Sequence, residues 1–179
     1  MKYVALLRGI NVAGQKRVPM AELKKVFESL KYKDIATYIQ SGNVVFSCEA
    51  GETEPMVAAI EKAIHRKFGF EVQVVVRTQK DWPKILKGNP YTAEAKNDPK
   101  FLNVLMLAAQ PKTPKLDELE TYCQNGEKFT LKGSELYIYY GAGAGKSKLV
   151  LGVIEKKLGT SGTARNWLTM QTLAEMLKA

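Results

Sequence analysis

Short apolar segments of strand length alternate along the chain with longer segments in which apolar residues recur at helical spacing. In the first half, the strand-like segments are residues 3–7, 35–40, 44–47 and 72–76. Two further segments have apolar residues at helical spacing and are predicted as helices. The first has Met20, Leu23, Phe27 and Leu30, and the second has Val57, Ile60, Ile64 and Phe68. The resulting order is β-α-β-β-α-β, which is the order of a ferredoxin-like unit.

The second half of the chain repeats this order of elements without a residue-level match to the first half. Strand-like segments lie at residues 102–107, 128–131, 136–140 and near 163–164, and helical segments lie at 114–122 and 147–158. A final helix carries the apolar residues Trp167, Met170, Leu173 and Leu177. We therefore predict an α+β protein of two successive β-α-β-β-α-β, ferredoxin-like units with a C-terminal helix. The predicted divisions are residues 1–78, a helical connector at 79–100, and residues 101–179.

A sheet of this topology has the strand order 4-1-3-2, so the end of strand 1 and the turn between strands 2 and 3 lie at the same edge. This order brings Arg8 and Asn11, which follow strand 1, towards Gln40, Ser41 and Asn43 in the turn. A guanidinium, amides and a hydroxyl can together hold a small anionic or polar ligand. The structural alternative stays open, in which Asn43 only forms the turn and Arg8 only binds neighbouring carbonyls.

The net charge of +9 suggests a nucleic-acid ligand, but only five of the 27 basic residues are arginine. Dispersed lysine suits a solvated surface, whereas base recognition depends on bidentate arginine. An RNA-recognition domain has the same element order, yet its third strand carries aromatic and basic residues, and residues 44–47 have one aromatic and no basic residue. Residues 3–7 and 72–76 are largely apolar on both faces, which predicts a sheet covered on both sides. A nucleic-acid-associated module is therefore the second hypothesis.

The cysteine and histidine content excludes several kinds of site. Cys48 and Cys123 are too few for a disulfide framework. Separately, no apolar segment approaches the ~20 residues that a membrane helix needs. These features favour a soluble protein of the reducing cytoplasm without a membrane partner. His65 is the only histidine and is expected to face solvent, so no metal site and no serine–histidine triad is predicted. No cofactor is predicted.

A glycine-rich segment at residues 140–148 is similar to a nucleotide-binding P-loop but lacks its first glycine, because Tyr140 occupies that position. Glycine-rich backbone that leads into a helix N-terminus can still bind a phosphate group. Lys146, Ser147 and Lys148 are therefore a candidate anion site.

A further polar cluster precedes the last helix. Asn166 is a suitable N-cap residue and Trp167 a suitable core residue. The sequence offers no structural role for Arg165, so Arg165 and Asn166 are additional candidates for ligand contact.

Six short motifs occur along the chain in one order: residues 8–12, 18–20, 38–44, 89–90, 147–149 and 163–167. Together they resemble the bacterial family known as domain of unknown function 1697, over essentially the whole chain. The resemblance implies a cytoplasmic bacterial protein with paired ferredoxin-like halves. It implies no reaction, cofactor or catalytic residue.

Three functions are compatible with these features. The leading hypothesis is binding of a small anionic or polar ligand at the edge formed by the strand-1 end and the strand-2/3 turn. The alternatives are a nucleic-acid-associated basic module and an enzyme that works without a metal or a histidine base. The sequence leaves open whether the protein is an enzyme and whether it is a monomer or a homodimer.

Overall fold

The computed structural model describes residues 1–178, which fall into two compact units. Unit 1 comprises residues 1–84 together with the C-terminal residues from Leu173 onward, and unit 2 comprises Ile85–Thr172. The boundary therefore lies inside the segment predicted as a connector, and the last helix contributes residues to both units. Among the described helices, none has the length and apolar character needed to cross a membrane.

Unit 1 contains one four-stranded antiparallel sheet. In chain order its elements are β1 (Lys2–Leu7), α1 (Met20–Ser29), β2 (Lys33–Tyr38), β3 (Asn43–Ser47), α2 (Thr53–Phe68) and β4 (Val74–Thr78), followed by α3 (Trp82–Gly88) at the unit boundary. The strands are ordered β2-β3-β1-β4, and each neighbouring pair is antiparallel. This is the strand order that the sequence predicts for a ferredoxin-like unit.

Unit 2 repeats the arrangement. Its elements are α4 (Thr92–Asn97), β5 (Leu102–Leu107), α5 (Leu116–Glu120), β6 (Lys128–Lys132), β7 (Glu135–Tyr139), α6 (Leu151–Leu158), β8 (Gly162–Asn166) and α7 (Trp167–Lys178). The strand order is β6-β7-β5-β8, again antiparallel throughout. The α+β fold with two similar units and a C-terminal helix is therefore confirmed.

Strands β1, β3 and β4 of unit 1 are largely buried on both faces, as their apolar residues predict, whereas β2 is partly exposed. Alternate β1 residues such as Tyr3 and Leu7 pack in one core with Phe27 from α1 and Ile60 from α2. The intervening residues of β1 point to the opposite face and are also fully buried, as Leu6 shows with an exposed fraction of 0%. Neither face therefore offers the open surface on which an RNA-recognition domain stacks bases.

Besides shifts in the bounds of β2 and α5, two elements differ from the sequence-based prediction. The helix predicted from residue 147 begins only at Leu151, because Ala144–Lys146 form a 3₁₀ turn and Ser147 is extended with ψ 144°. The helical connector predicted at 79–100 contains two helices, α3 and α4, and the sequence does not mark α4 as a separate helix, since none of its six residues is buried and it shows no apolar periodicity. Neither difference changes the sheet topology.

Candidate functional site

The end of β1 lies between the β2–β3 turn and the start of β4. The Leu7 N–H donates to the Gly42 carbonyl at 2.8 Å, and the Arg8 N–H donates to the Gln73 carbonyl at 2.9 Å. The strand end thus joins the two chain segments on either side of it. The sequence predicts the first neighbour, and the antiparallel pairing of β1 with β4 adds the second.

Glycine at position 42 allows the turn to approach the strand. Its φ of +74° favours glycine, and a Cβ atom there would lie 2.6 Å from the Leu7 Cβ and 2.9 Å from the Ile10 Cδ1. Both the backbone conformation and the close contact therefore exclude a side chain at this position. Because residue 42 has no side chain, the turn can pack directly against β1.

Asn11, predicted as a ligand contact, uses its side chain to tie together the loops at this edge. Its Nδ2 donates to the carbonyls of Val18 at 2.9 Å and Gln40 at 2.8 Å, and its Oδ1 accepts the Val18 N–H at 2.8 Å. The residue has φ +55°, a conformation that asparagine tolerates better than most residues. These contacts give Asn11 a structural role, and its contact with a ligand stays a prediction.

The turn residues also bind one another. Asn43 is fully buried, and its Nδ2 donates to the Tyr38 carbonyl at 3.0 Å and to the Ser41 Oγ at 2.9 Å. Gln40 is exposed, and its main-chain carbonyl accepts the bond from Asn11. Asn43 and Ser41 therefore shape the turn, which was the structural alternative left open by the sequence.

Arg8 is partly exposed and points into a groove of about 840 Å³ in unit 1. Its Nη1 donates to the Gln73 Oε1 at 2.8 Å, so the residue just before β4 helps to position the guanidinium. The groove lies within the size range of small-molecule sites. It is lined by Arg8, Gly9, Lys16, Ala58, Glu61, Lys62, His65, Glu71, Val72 and Gln73.

Basic side chains outnumber acidic ones around this groove, which we call the Arg8 groove. Arg8, Lys16 and Lys62 carry three positive charges, and Glu61 and Glu71 carry two negative charges. Glu61 is engaged by the fold, because its Oε1 accepts the Val74 N–H at 2.8 Å. The arrangement favours an anionic group beside Arg8.

Sequence reasoning missed most of this groove. It placed His65 towards solvent, and His65 is exposed, but the residue also lines the groove with Glu61 and Lys62. Positions 58, 61, 62 and 65 share one face of α2 at helical spacing. The sequence shows this common face, but it does not show that a groove lies beside it.

Unit 2 offers an internal comparison for Arg8. The Leu107 N–H donates to the Ser134 carbonyl at 2.9 Å, and the Ala108 N–H donates to the Ser161 carbonyl at 2.8 Å. These two bonds match those of Leu7 and Arg8 in unit 1. The same backbone arrangement therefore forms with alanine at the position of Arg8, so these two backbone bonds do not depend on an arginine side chain.

The glycine-rich segment is fixed by a carboxylate. The Ser147 Oγ donates to the Glu127 Oε1 at 2.5 Å and accepts the Leu149 N–H at 3.0 Å. Because α6 begins at Leu151, Lys146, Ser147 and Lys148 do not stand at a helix N-terminus. The premise of the predicted anion site is therefore not met, and anion binding by these residues stays a prediction.

Glu127 itself is buried, with an exposed fraction of 8%. Burial acts to raise the pKa of its carboxyl, but hydrogen bonds from Ser147 and from backbone N–H groups, including that of Asn125, outweigh burial and hold the pKa below its ordinary value. The carboxylate is therefore charged at neutral pH.

Arg165 and Asn166 lie at the end of β8 in unit 2. Arg165 has an exposed fraction of 9%, and its Nη1 donates to the Thr163 Oγ1 and to the Ala164 carbonyl, both at 2.8 Å. Burial lowers the pKa of this guanidinium to about 10. Asn166 accepts the Thr169 N–H at 2.9 Å, which confirms its predicted role as the N-cap of α7. Ligand contact by this pair stays a prediction.

The described residues contain no group of three or more histidine, cysteine, aspartate or glutamate side chains placed to hold a metal ion. The structure thus defines an α+β protein of two ferredoxin-like units with a basic groove at one sheet edge. The chain matches the model of the family described as protein of unknown function (DUF1697) over residues 1–137, and it belongs to that family. This confirms the resemblance seen in the motifs.

The fold is shared with a solved structure, that of the conserved bacterial protein SP0830 from Streptococcus pneumoniae. The two chains are 23% identical, the match covers 98% of each, and the TM-score is 0.71. At this identity the likeness concerns the fold alone. No curated protein shows significant similarity to the chain.

Proposed function

We propose that the protein binds a small anionic or polar ligand in the Arg8 groove, at the edge of unit 1 where β1 ends. The observation that carries this proposal is the convergence of Arg8, Lys16 and Lys62 on one groove of about 840 Å³. Arg8 anchors the anion, because a guanidinium forms paired charge-assisted hydrogen bonds with a carboxylate or phosphate. Lys16 and Lys62 add positive charge around it.

The internal comparison supports a functional rather than a structural role for Arg8. Ala108 makes the backbone hydrogen bond in unit 2 that Arg8 makes in unit 1. Arg8 makes a backbone bond that alanine makes equally in unit 2, and its side chain, positioned by Gln73 at the groove, is suited to ligand binding. The loops beside the site are shaped by Asn11, Gln40, Ser41 and Asn43. We place the ligand beside Arg8 rather than on these four residues.

The proposal is tested by titrating the protein with inorganic phosphate and with acetate, with binding followed by calorimetry or by thermal shift. Arg8→Ala is expected to weaken binding by about 10- to 100-fold, because a hydrogen bond to a charged group contributes about 1.5–3 kcal/mol. Arg66→Ala is the matched control. Arg66 is an exposed arginine on α2 that does not line the groove.

Equal losses in Arg8→Ala and Arg66→Ala would mean that only net charge matters, and would overturn the proposal. Short single-stranded RNA is titrated in parallel. Tight RNA binding that falls steeply with salt and is unaffected by Arg8→Ala would replace this proposal with the nucleic-acid module. Unchanged anion binding in Arg8→Ala would exclude the groove as the site.

A further inference from the structure

Ile39 has an unusual combination of conformation and exposure. Its φ is +49°, in the left-handed region, where a β-branched residue is a genuine outlier. Its side chain has an exposed fraction of 53%, so burial does not compensate for the strain. Strained residues of this kind persist where the surrounding structure imposes them, and they concentrate at functional sites.

Two asparagines hold the backbone on either side of Ile39. Asn43 Nδ2 binds the carbonyl of Tyr38, which precedes Ile39, and Asn11 Nδ2 binds the carbonyl of Gln40, which follows it. The peptide group before Ile39 and the peptide group after Gln40 are thereby held in place. The side chain of Ile39 is held in solvent beside the loop that follows β1.

That loop carries a second exposed apolar residue and also reaches the Arg8 groove. The Asn11 N–H donates to the Lys16 carbonyl at 3.1 Å, and the Gln15 N–H donates to the Val12 carbonyl at 2.9 Å, so residues 11–16 form a small hairpin. Val12 has an exposed fraction of 61%, and Lys16 of the same hairpin lines the groove. The hairpin therefore links the groove, which Lys16 lines, to the turn with Ile39, whose Gln40 carbonyl accepts the bond from Asn11.

From this arrangement we propose that the ligand is an amphipathic anion, that is, a carboxylate or phosphate that bears an apolar chain. Its charged group binds beside Arg8, and its chain contacts Val12 and Ile39. The inference rests on the proposed function, because the anionic group is the anchor. It adds the chemical class of the remainder of the ligand, and it explains why a strained isoleucine is kept in solvent.

The test uses a series of straight-chain carboxylates, namely acetate, butyrate, hexanoate and octanoate, titrated at constant ionic strength. Affinity is expected to rise with chain length, by up to about fourfold for each methylene group that becomes fully buried. The gain in affinity from acetate to octanoate is expected to be at least about tenfold smaller in Ile39→Asn and in Val12→Ser. This follows if three or more methylene groups of the ligand lose their contacts. Acetate binding is expected to stay unchanged in both variants.

Two control variants separate contact from other effects. Lys31→Asn changes another residue in the left-handed region, with φ +62°, near the opposite end of β2. This variant therefore measures the effect of relieving backbone strain without removing an apolar contact. Val150→Ser removes an apolar side chain of similar exposure, 50%, in unit 2. Both controls are expected to retain the full dependence on chain length.

The two proposals fail in different ways. Equal affinity for acetate and octanoate, or an octanoate gain that survives in both Ile39→Asn and Val12→Ser, would overturn the amphipathic class and leave anion binding at Arg8 in place. Acetate binding that is unaffected by Arg8→Ala would overturn the proposed function and this inference together. An equal loss of the octanoate gain in Val150→Ser would show non-specific apolar binding and would overturn the inference alone.

Discussion

The side-chain amide of Asn11 donates a hydrogen bond of 2.8 Å to the main-chain carbonyl of Gln40, and so joins the loop after β1 to the turn between β2 and β3. The same side chain also binds both backbone groups of Val18. One residue therefore fixes the geometry of the surface on which both proposals depend.

Replacing Asn11 with alanine is expected to lower the free energy of unfolding by about 2–4 kcal/mol. Three hydrogen bonds are lost, each with a net contribution of about 1 kcal/mol, and alanine tolerates the left-handed conformation less well than asparagine. Urea denaturation measures the change. Asn11→Gly is the control, since it relieves the backbone but makes no side-chain hydrogen bonds, and a glycine variant as stable as wild type would show that the bonds contribute nothing.

Gly42→Ala is expected to be strongly destabilising, by about 3 kcal/mol or more, because the new Cβ would stand 2.6 Å from the Leu7 Cβ in a backbone with φ +74°. Gly14→Ala provides a matched comparison, since residue 14 has φ +76° but open space around it. That variant should lose only about 1–2 kcal/mol from backbone strain. Thermal or urea unfolding of both proteins tests the contact, and equal losses would contradict it.

Glu127 is expected to stabilise unit 2 in a pH-dependent way. Its pKa in the folded state lies below the ordinary value of 4.5, so the contribution is present above about pH 4.5 and is lost as pH falls through the folded-state pKa. Glu127→Gln removes the charge, and its amide group does not satisfy both Ser147 and the backbone donors, which should cost about 1–3 kcal/mol at neutral pH.

Unfolding free energies measured from pH 7 down to pH 3 check this expectation. Wild type should lose more stability over that interval than Glu127→Gln. Glu120→Gln, at an exposed carboxylate in the same unit, should behave as wild type. A parallel pH profile for wild type and Glu127→Gln would rule out a lowered pKa at Glu127.

Asn166→Ala is expected to cost about 1 kcal/mol, because it removes the bond from the Thr169 N–H that caps α7. Asn166→Asp keeps a capping oxygen and should retain nearly all of the stability. Urea unfolding distinguishes the two variants. Equal stability of Asn166→Ala and wild type would remove the capping role.

The fold was predictable because apolar periodicity records which face of each element is buried. It recovered β5 at residues 102–107 and the antiparallel order of both sheets. Elements that bury little surface, such as α4, leave no such record. The start of α6 was mistaken because Ser147 bonds to Glu127 and Leu149 instead of opening the helix.

The site was predictable only in outline. Topology correctly brought Arg8 and the β2–β3 turn to one edge, but the partners of each side chain depend on distances that no pattern encodes. The sequence predicts Asn43 as a ligand contact, for example, whereas the residue is fully buried and its side-chain amide donates a hydrogen bond within the turn. Lys62 and His65 were missed because the solvent-facing stripe of a helix looks the same in sequence whether or not a groove lies beside it.

The paired hydrogen bonds at the ends of β1 and β5 have a consequence for how this chain could change over time. Because the backbone forms the same two bonds around Arg8 and around Ala108, those bonds do not depend on the side chain at this position. One copy of the unit could therefore acquire a charged group while the other kept an inert methyl group. A repeated unit can differ at such a position while its backbone keeps the same bonds.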